Sequence, residues 1–415
     1  MENPVRSPDG NKYDLRAPAL FLDPHPLFHE MRREEPVYFS EALDAWVLTG
    51  YKEICSMLRD DRFSVMEEVK RIEALPLSEQ EELTPLKTIF LSWAGRGDEE
   101  THAKFSKLLR RYFTPHYVET LRPRIQAHLD RLIAEALVRG ENRGMDVAKD
   151  IAHPLSMTVV AELVGVPADA ASIQHYLHSA EDVAAMLEMG THHQLHRSQR
   201  GMLTLCDYLA ATVASRRKER KEDLISVFIE ADREGTVFSD LYILSQCIMF
   251  LVVGYHTTAN QLCNGLNALL ENPKEREKLL NDWSKLPNAF EEMMRYHGAV
   301  ASLRRLAEDD VPLGGKVIRK GDTAVCVFAA ANRDPEVFPE PDRFDIDRPM
   351  ANKQIGFAIG QYACLGQALA RLEADIFFRT LLGRFPAMRP LEAPRDWKVF
   401  RPFGREFESF RVACQ

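Results

Sequence analysis

A single cysteine, Cys364, lies where a glycine-containing loop meets the start of an apolar helix. The loop extends from Gly356 to Gly366, and helical periodicity begins directly after it. The unpaired N–H groups and the dipole at a helix start favour an anion, and therefore a thiolate over a thiol. A thiolate facing a cavity is a soft ligand, and one cysteine alone suits a haem iron better than zinc. A buried structural cysteine is the alternative.

Two further segments carry polar residues on predicted helices. Glu292 and Arg295 are three residues apart, so they share one helix face and can pair. The alternative to a structural role for this pair is a solvated ion pair on the surface. The segment Gly254-Tyr255-His256-Thr257-Thr258 interrupts an apolar helix. Threonine hydroxyls that bond to the carbonyl four residues back can bend a helix, and glycine weakens the helix further. The result is either a groove suited to O₂ and water beside a metal, or a kink without a functional role.

Cations that could hold the carboxylates of a cofactor occur in two places. His102 begins a basic helix that continues to Arg111, and Arg305 lies in a segment with strand signals. Side chains of this kind hold carboxylates through charge-assisted hydrogen bonds. For the basic helix, a solvated face is the alternative.

The elements that position these residues are mainly helices. Apolar periodicity predicts helices over 51–59, 100–112, 117–138, 147–165, 170–188, 195–219, 221–231, 238–270, 273–282 and 286–297. The 238–270 helix is apolar nearly all round, so we expect it to be buried at the centre. Strand signals occur at 37–39, 45–49 and within 303–330, a hairpin is expected over 398–412, and 62–97 is expected to be a long loop with short helical pieces. We therefore predict a single domain, residues 1–415, that is mainly α with small β-sheets.

Composition excludes several classes of protein. The net charge of −9 argues against a nucleic-acid binder. Residues 1–26 show no signal peptide or anchor, and the longest apolar stretch, 243–253, is too short to span a bilayer. The seven cysteines are scattered without a CxxC pair, which is typical of reduced cytosolic thiols. We expect a cytoplasmic protein with no membrane partner.

The order and spacing of these segments resemble the haem-thiolate monooxygenases, the cytochrome P-450 family in its soluble bacterial form. The resemblance covers nearly the whole chain, and the cysteine loop is its specific motif. It implies the cytochrome P-450 fold, with the long central helix beside a haem b and Cys364 as the axial iron ligand. It also implies that Glu292 and Arg295 anchor the loop before the cysteine. The other haem contacts that it implies are His102, Arg305, Tyr362, Phe357, Ala358 and Gly366.

Three positions near the haem depart from the family pattern. The family usually has glycine at Ala358, His or Arg at Tyr362, and Arg at Ser106. Two of the usual propionate cations are therefore missing together. We expect His102, Arg305 and the Tyr362 hydroxyl to share their task, with Lys107 as a further candidate.

His256 is the most consequential departure, because the family usually places Asp or Glu before the catalytic threonine. A neutral imidazole can also relay protons, since its pKa is ordinarily near 6.5. Sterol-demethylating members of the family have a similar His-Thr pair. We therefore assign proton delivery to His256 and oxygen activation to Thr257. Positioning of the substrate is the other role considered for His256.

The resemblance also implies the reaction, in which a substrate RH, O₂, two electrons and two protons give ROH and water. The chain contains no flavin or iron–sulfur motif, so electrons are expected from a ferredoxin and an NAD(P)H-dependent ferredoxin reductase. We expect a monomer that hydroxylates or epoxidises a mostly hydrophobic small molecule of secondary metabolism. The predicted pocket residues are Val253, Tyr255, Ala299, Val300, Ala301, Ser302 and Phe403. A peroxide-using or non-oxygenating haem-thiolate enzyme is one alternative, and a haem gas sensor is another.

Overall fold

The structure is a computed structural model that describes residues 12–15, 20, 23–93, 99–139, 144–187, 192–233, 239–391, 397–399 and 404–414. Within these ranges helices dominate and the strands are short, so the predicted class, mainly α with small β-sheets, is confirmed. By compactness the chain divides into two units. The first comprises Met1–Glu67, Asn264–Cys364 and Asp396–Phe407, and the second comprises Glu68–Cys263, Leu365–Arg395 and Glu408–Gln415. That residues 1–415 act as one domain stays a prediction.

The first unit is built around a five-stranded sheet. Its strands are β1 (Val37–Ser40), β2 (Ala45–Leu48), β3 (Phe63–Ser64), β5 (Ser302–Ala307) and β8 (Thr323–Val327), in the order β1-β2-β8-β5-β3. The β2–β8 pair is parallel and the other pairs are antiparallel. Two hairpins accompany the sheet, β6 (Val311–Leu313) with β7 (Lys316–Ile318) and β10 (Trp397–Val399) with β11 (Arg405–Phe407). The helices of this unit are α1 (His25–Glu34), α2 (Tyr51–Leu58), α14 (Pro273–Asn281), α15 (Leu286–Tyr296) and α16 (Phe328–Ala331).

The second unit is largely helical. Its first helices are α3 (Glu67–Glu73), α4 (Leu77–Glu82), α5 (Thr84–Leu91), α6 (Glu99–Arg110), α7 (Pro115–Glu119) and α8 (Arg122–Arg139). They are followed by α9 (His153–Val164), α10 (Ala170–Ala184), α11 (His192–Lys218), α12 (Leu224–Arg233) and, after the cysteine loop, α17 (Gln367–Arg384). A small antiparallel sheet joins β4 (Gly144–Asp146), β12 (Arg411–Ala413) and β9 (Arg389–Pro390) in the order β4-β12-β9.

The long apolar helix of the sequence is α13 (Asp240–Glu271), which contributes residues to both units. Most of its side chains between Ile243 and Leu269 are buried, as predicted. Among the described residues it is the one helix long and apolar enough to cross a membrane, and 56% of its most apolar window is buried inside the structure. Burial of this kind is also found in the core helix of a soluble protein.

Two predicted helices are divided in the structure. The 117–138 prediction corresponds to α7 and α8, and α8 begins with proline in its first turn at Pro123. The 147–165 prediction corresponds to a π-helical turn, Val147–Ala152, followed by α9 with Pro154 in its first turn. Proline lacks an N–H, so the hydrogen-bond ladder changes where it occurs.

Candidate active site

The cysteine loop belongs to the first unit and exposes its thiol. All seven cysteines lie among the described residues, and Cys364 is the exposed one, since the others are buried or half-buried. The backbone N–H of Cys364 donates to the carbonyl of Phe357 at 2.8 Å, which closes the loop. Phe357, Ala358 and Tyr362 are half-buried. A short 3-10 turn, Gly360–Tyr362, leads to the cysteine.

Ala358 occupies a backbone conformation that favours glycine. Its φ is 52°, in the left-handed region, where a Cβ is crowded by the backbone. The family's usual glycine at this position therefore has a geometric reason, and this chain adopts the same turn with a methyl group in place. Gly366, in the second unit, is half-buried and is the N-cap of α17, where its carbonyl accepts from the N–H of Ala370 at 3.0 Å.

Arg305 lies against Tyr362. The Arg305 guanidinium carbon is 5.4 Å from the Tyr362 ring centroid, within the range of a cation–π contact. Arg305 is on β5 and only 5% exposed, and its Nη1 donates to the carbonyl of Arg304 at 2.8 Å. The structure thus brings together two of the predicted haem contacts. His102 lies on α6, but its side chain falls outside the described residues.

Glu292 and Arg295 form a fully buried ion pair on α15, and not a surface pair. Arg295 donates to both carboxylate oxygens of Glu292, at 2.6 and 2.8 Å, and both side chains are 0% exposed. Burial lowers the pKa of Arg295, and the Glu292 carboxylate opposes that shift. The remaining Arg295 N–H groups donate to backbone carbonyls of Asn332, Pro341 and Arg343 at 2.9, 2.7 and 3.0 Å.

Sequence reasoning missed the residues that connect this pair to the segment before the cysteine loop. Arg348 donates to both oxygens of Glu292 at 3.0 Å. The Asn332 side chain accepts from the N–H of Ile355 at 2.9 Å. Gln354 accepts from the N–H of Gly356 at 2.6 Å and donates to Glu291 at 3.0 Å. Asn332 and Arg348 lie in segments 331–335 and 344–349, which resemble the family and could have indicated them, whereas Gln354 and Glu291 carry no such signal.

The threonine segment belongs to the second unit and does not break its helix, since α13 is continuous from Asp240 to Glu271. The expected back-bonding is present, because Thr257 Oγ1 donates to the Val253 carbonyl at 3.0 Å and Thr258 Oγ1 to the Gly254 carbonyl at 3.2 Å. His256 is 6% exposed, and its Nδ1 lies 3.2 Å from the amide nitrogen of Asn260, one turn further along. Asn260 is a functional candidate that the i, i+4 spacing could have indicated.

The predicted pocket residues have different environments. Val253 is 42% exposed on α13, and Val300 is half-buried. Tyr255 is buried against His153 and His256, with ring centroids 6.0 and 5.5 Å apart. Phe403 lies outside the described residues. The remaining predicted pocket residues are buried at the start of β5, namely Ala299, Ala301 and Ser302.

Comparison with known proteins agrees with this architecture. The cytochrome P-450 family model matches residues 194–397. The chain is 35% identical to the cytochrome P-450 monooxygenase PikC of Streptomyces venezuelae, over 88% of this chain and 84% of that protein. It is 31% identical to the polyketide biosynthesis cytochrome P-450 PksS of Bacillus subtilis, over 94% of this chain and 96% of that protein. The crystal structure of the myxobacterial cytochrome P-450 CYP267B1 with myristic acid matches with a TM-score of 0.85 and 31% identity, covering 97% of this chain and 99% of that one.

This chain belongs to the cytochrome P-450 family. It is therefore an oxidoreductase, a monooxygenase of the haem b thiolate class, whose relatives act on small molecules and receive electrons from redox partners. The residues present fit the cofactor. Cys364 offers one exposed thiol, the ligand that haem iron takes from the protein in this class. Arg305 offers a guanidinium, whose planar donors match a carboxylate.

Proposed function

We propose that Cys364 is the thiolate ligand of the haem iron and that Arg305, Tyr362 and His102 hold the haem propionates. The observation that carries this proposal is the exposed thiol of Cys364 at the end of a loop closed by its own backbone. When bound, the haem supplies the activation of O₂. Phe357, Ala358 and Gly366 would contact it from the loop, and the buried Glu292–Arg295 pair anchors the chain before that loop.

The chain's own residues supply the protons. Thr257 donates its hydroxyl hydrogen to the Val253 carbonyl, so its oxygen lone pairs stay available as acceptors. The Asn260 amide nitrogen donates to Nδ1 of His256, which assigns the ring proton of the neutral imidazole to Nε2. His256 therefore has a donor nitrogen for proton delivery, and Thr257 beside it orients the acceptor.

The proposed substrate is a mostly hydrophobic small molecule of secondary metabolism, which the enzyme hydroxylates or epoxidises. The exposed Val253 on α13 and the small residues Ala299 and Ala301 support an apolar pocket. The relatives support the same class, since PksS is named for polyketide biosynthesis and CYP267B1 was crystallised with myristic acid. Val300, Ser302, Tyr255 and Phe403 complete the proposed pocket.

The proposed electron donors are a ferredoxin and an NAD(P)H-dependent ferredoxin reductase, and the proposed form is a cytoplasmic monomer. The absence of a flavin or iron–sulfur motif from the sequence supports a separate donor. The bacterial cytochrome P-450 relatives support the cytoplasmic location.

The test is spectroscopic. The wild-type holoprotein is expected to give the red-shifted ferrous–CO band of a thiolate haem, and Cys364→Ser is expected to lose it. Cys206→Ser, at a half-buried cysteine on α11, is the matched control and is expected to keep the band. A thiolate band in Cys364→Ser would refute the assignment.

A second experiment separates the reaction classes. Compounds that shift the haem spin state in a library screen are incubated with ferredoxin, reductase and NADPH, or with hydrogen peroxide alone. Oxygenated product with the electron-transfer proteins supports the monooxygenase reaction of a hydrophobic substrate. Product with peroxide alone would favour the peroxide-using alternative.

A further inference from the structure

A second histidine lies against His256. His153, the first residue of α9, has its ring centroid 6.2 Å from that of His256 and 6.0 Å from that of Tyr255. His153 is half-buried, whereas His256 is 6% exposed. The pair therefore consists of an inner imidazole on α13 and an outer imidazole with partial access to solvent.

Two backbone features fix this juxtaposition. The π-helical turn Val147–Ala152 leads directly into His153. Turns of this kind are rare in proteins, and those that occur often lie at functional sites. Further along α9, Val160 packs against Gly254, where an added Cβ would be 3.1 Å from the Val160 methyl. The glycine thus permits a close approach of α9 to α13 two residues before His256.

The chemistry of the pair suits proton transfer. Nδ1 of His256 is engaged by Asn260, so Nε2 is its nitrogen for exchange. One bridging water can span two imidazoles at this separation of the ring centroids, 6.2 Å. Imidazole both accepts and donates protons near neutral pH, and it is the side chain whose ordinary pKa lies there.

Four other charged groups on α9, on the π turn or against α9 are paired elsewhere or exposed. Glu162 accepts from His128 of α8 at 2.9 Å. Asp150 of the π turn pairs with Arg139 at 3.2 Å, and Glu373 of α17 accepts from Ser156 at 3.0 Å. Lys149, also on the π turn, is exposed.

We propose that His153 passes protons from solvent to His256, so that the proton path of this enzyme is a pair of histidines on α9 and α13. This inference rests on the proposed role of His256. No net change in bonding accompanies the step: a proton leaves one imidazole nitrogen as another arrives from water, and each ring returns to neutral.

The experiment compares His153→Gln with His128→Gln, a matched histidine on α8 that contacts α9 from another side. The first readout is the ¹⁵N NMR titration of His256 in the diamagnetic ferrous–CO holoenzyme. Protonated His153 disfavours a second charge nearby, so His153→Gln is expected to raise the titration midpoint of His256. His128→Gln is expected to leave that midpoint unchanged. Better hydration of His256 alone would also raise the midpoint, so the rise supports the proposal only together with the second readout.

The second readout is hydrogen peroxide released per NADPH consumed, with ferredoxin, reductase and myristic acid as the probe compound. Loss of a proton-transfer residue is expected to reduce the rate of productive turnover by about 10²-fold, and peroxide release is expected to rise. If His256→Gln and His153→Gln both leave this ratio unchanged, the proposed role of His256 fails. If His256→Gln raises the ratio but His153→Gln changes neither readout, the paired-histidine path is overturned and the role of His256 stands.

Discussion

Glu373 is a buried acid that neither the fold nor the proposed chemistry requires to be ionised. It lies on α17, is 1% exposed, and accepts a hydrogen bond from Ser156 of α9 at 3.0 Å. Burial raises the pKa of Glu373 to about 8, and the Ser156 hydrogen bond opposes that shift in part. At neutral pH the folded protein therefore holds a protonated carboxyl in its interior.

The sign of the effect on stability follows from the two states of the chain. Below pH 4.5 the carboxyl is protonated in both states, and its contribution to stability is fully present. Between 4.5 and about 8 the unfolded chain loses the proton while the folded chain keeps it, so stability falls as pH rises. A pKa shift of this size lowers the free energy of unfolding by about 5 kcal/mol over the whole window, and by about 3 kcal/mol between pH 5.5 and 8.5.

Glu373→Gln removes the titration and keeps a hydrogen-bonding side chain of the same shape. At ~2.1 cal/mol/K per residue, 3 kcal/mol is equivalent to about 3 °C in melting temperature for a chain of 415 residues. The assay is the melting temperature of each holoprotein at pH 5.5 and 8.5. The fall in melting temperature of the wild type between these pH values is expected to exceed that of Glu373→Gln by about 3 °C.

Ser156→Ala is the control, because it removes the hydrogen bond but leaves the carboxyl. It is expected to lower the melting temperature at both pH values and to keep the fall with rising pH. Equal pH dependence in the wild type and Glu373→Gln would refute the reasoning, since it would mean that the carboxyl has the same pKa in both states.

Two further predictions concern the backbone around the site. Ala358→Gly is expected to stabilise the holoprotein by up to about 1 kcal/mol, because glycine accepts the φ of 52° without strain. The control Ala363→Gly, at a φ of −59°, is expected to destabilise it. Melting temperatures that move in the same direction in both variants would contradict this. Gly254→Val is expected to lower the free energy of unfolding by about 1–3 kcal/mol through overpacking against Val160. Adding Val160→Ala to this variant is expected to recover most of the loss. If urea unfolding gives the same loss for Gly254→Val with and without Val160→Ala, the reasoning is contradicted.

Local periodicity predicted the helices well because it reports which face of each segment is buried. The bounds of α13 and α15 differ from the predicted ranges by only one or two residues. The region 62–97 was less predictable, because α3, α4 and α5 are each eight residues or shorter and give only one or two turns of pattern. The π turn before α9 was not predictable either, since it has no sequence period of its own.

The site was predictable where one residue type carries the chemistry and less so where long-range packing does. Cys364 was proposed from its own loop and the helix that follows, and the structure exposes its thiol. The burial of Glu292 and Arg295 was not, because an i, i+3 pair has the same spacing on a surface and in a core. Their environment depends on Arg348 and on backbone carbonyls about 40 to 50 residues away, which no local pattern reports.

The two departures beside Cys364 have opposite energetic signs. Ala358 in the left-handed region costs about 1 kcal/mol, while the contact of Arg305 with the Tyr362 ring, at 5.4 Å, contributes about 0.5–2 kcal/mol when shielded from water. The strain energy of Ala358 is thus similar in size to the stabilisation that the Arg305–Tyr362 contact offers. Tyr362 replaces the family's usual cation, so one positive charge is lost, but its ring lies beside the charge that remains. A guanidinium held in this way loses less side-chain entropy when it binds a carboxylate, so in its proposed role Arg305 would take over part of the task of two cations.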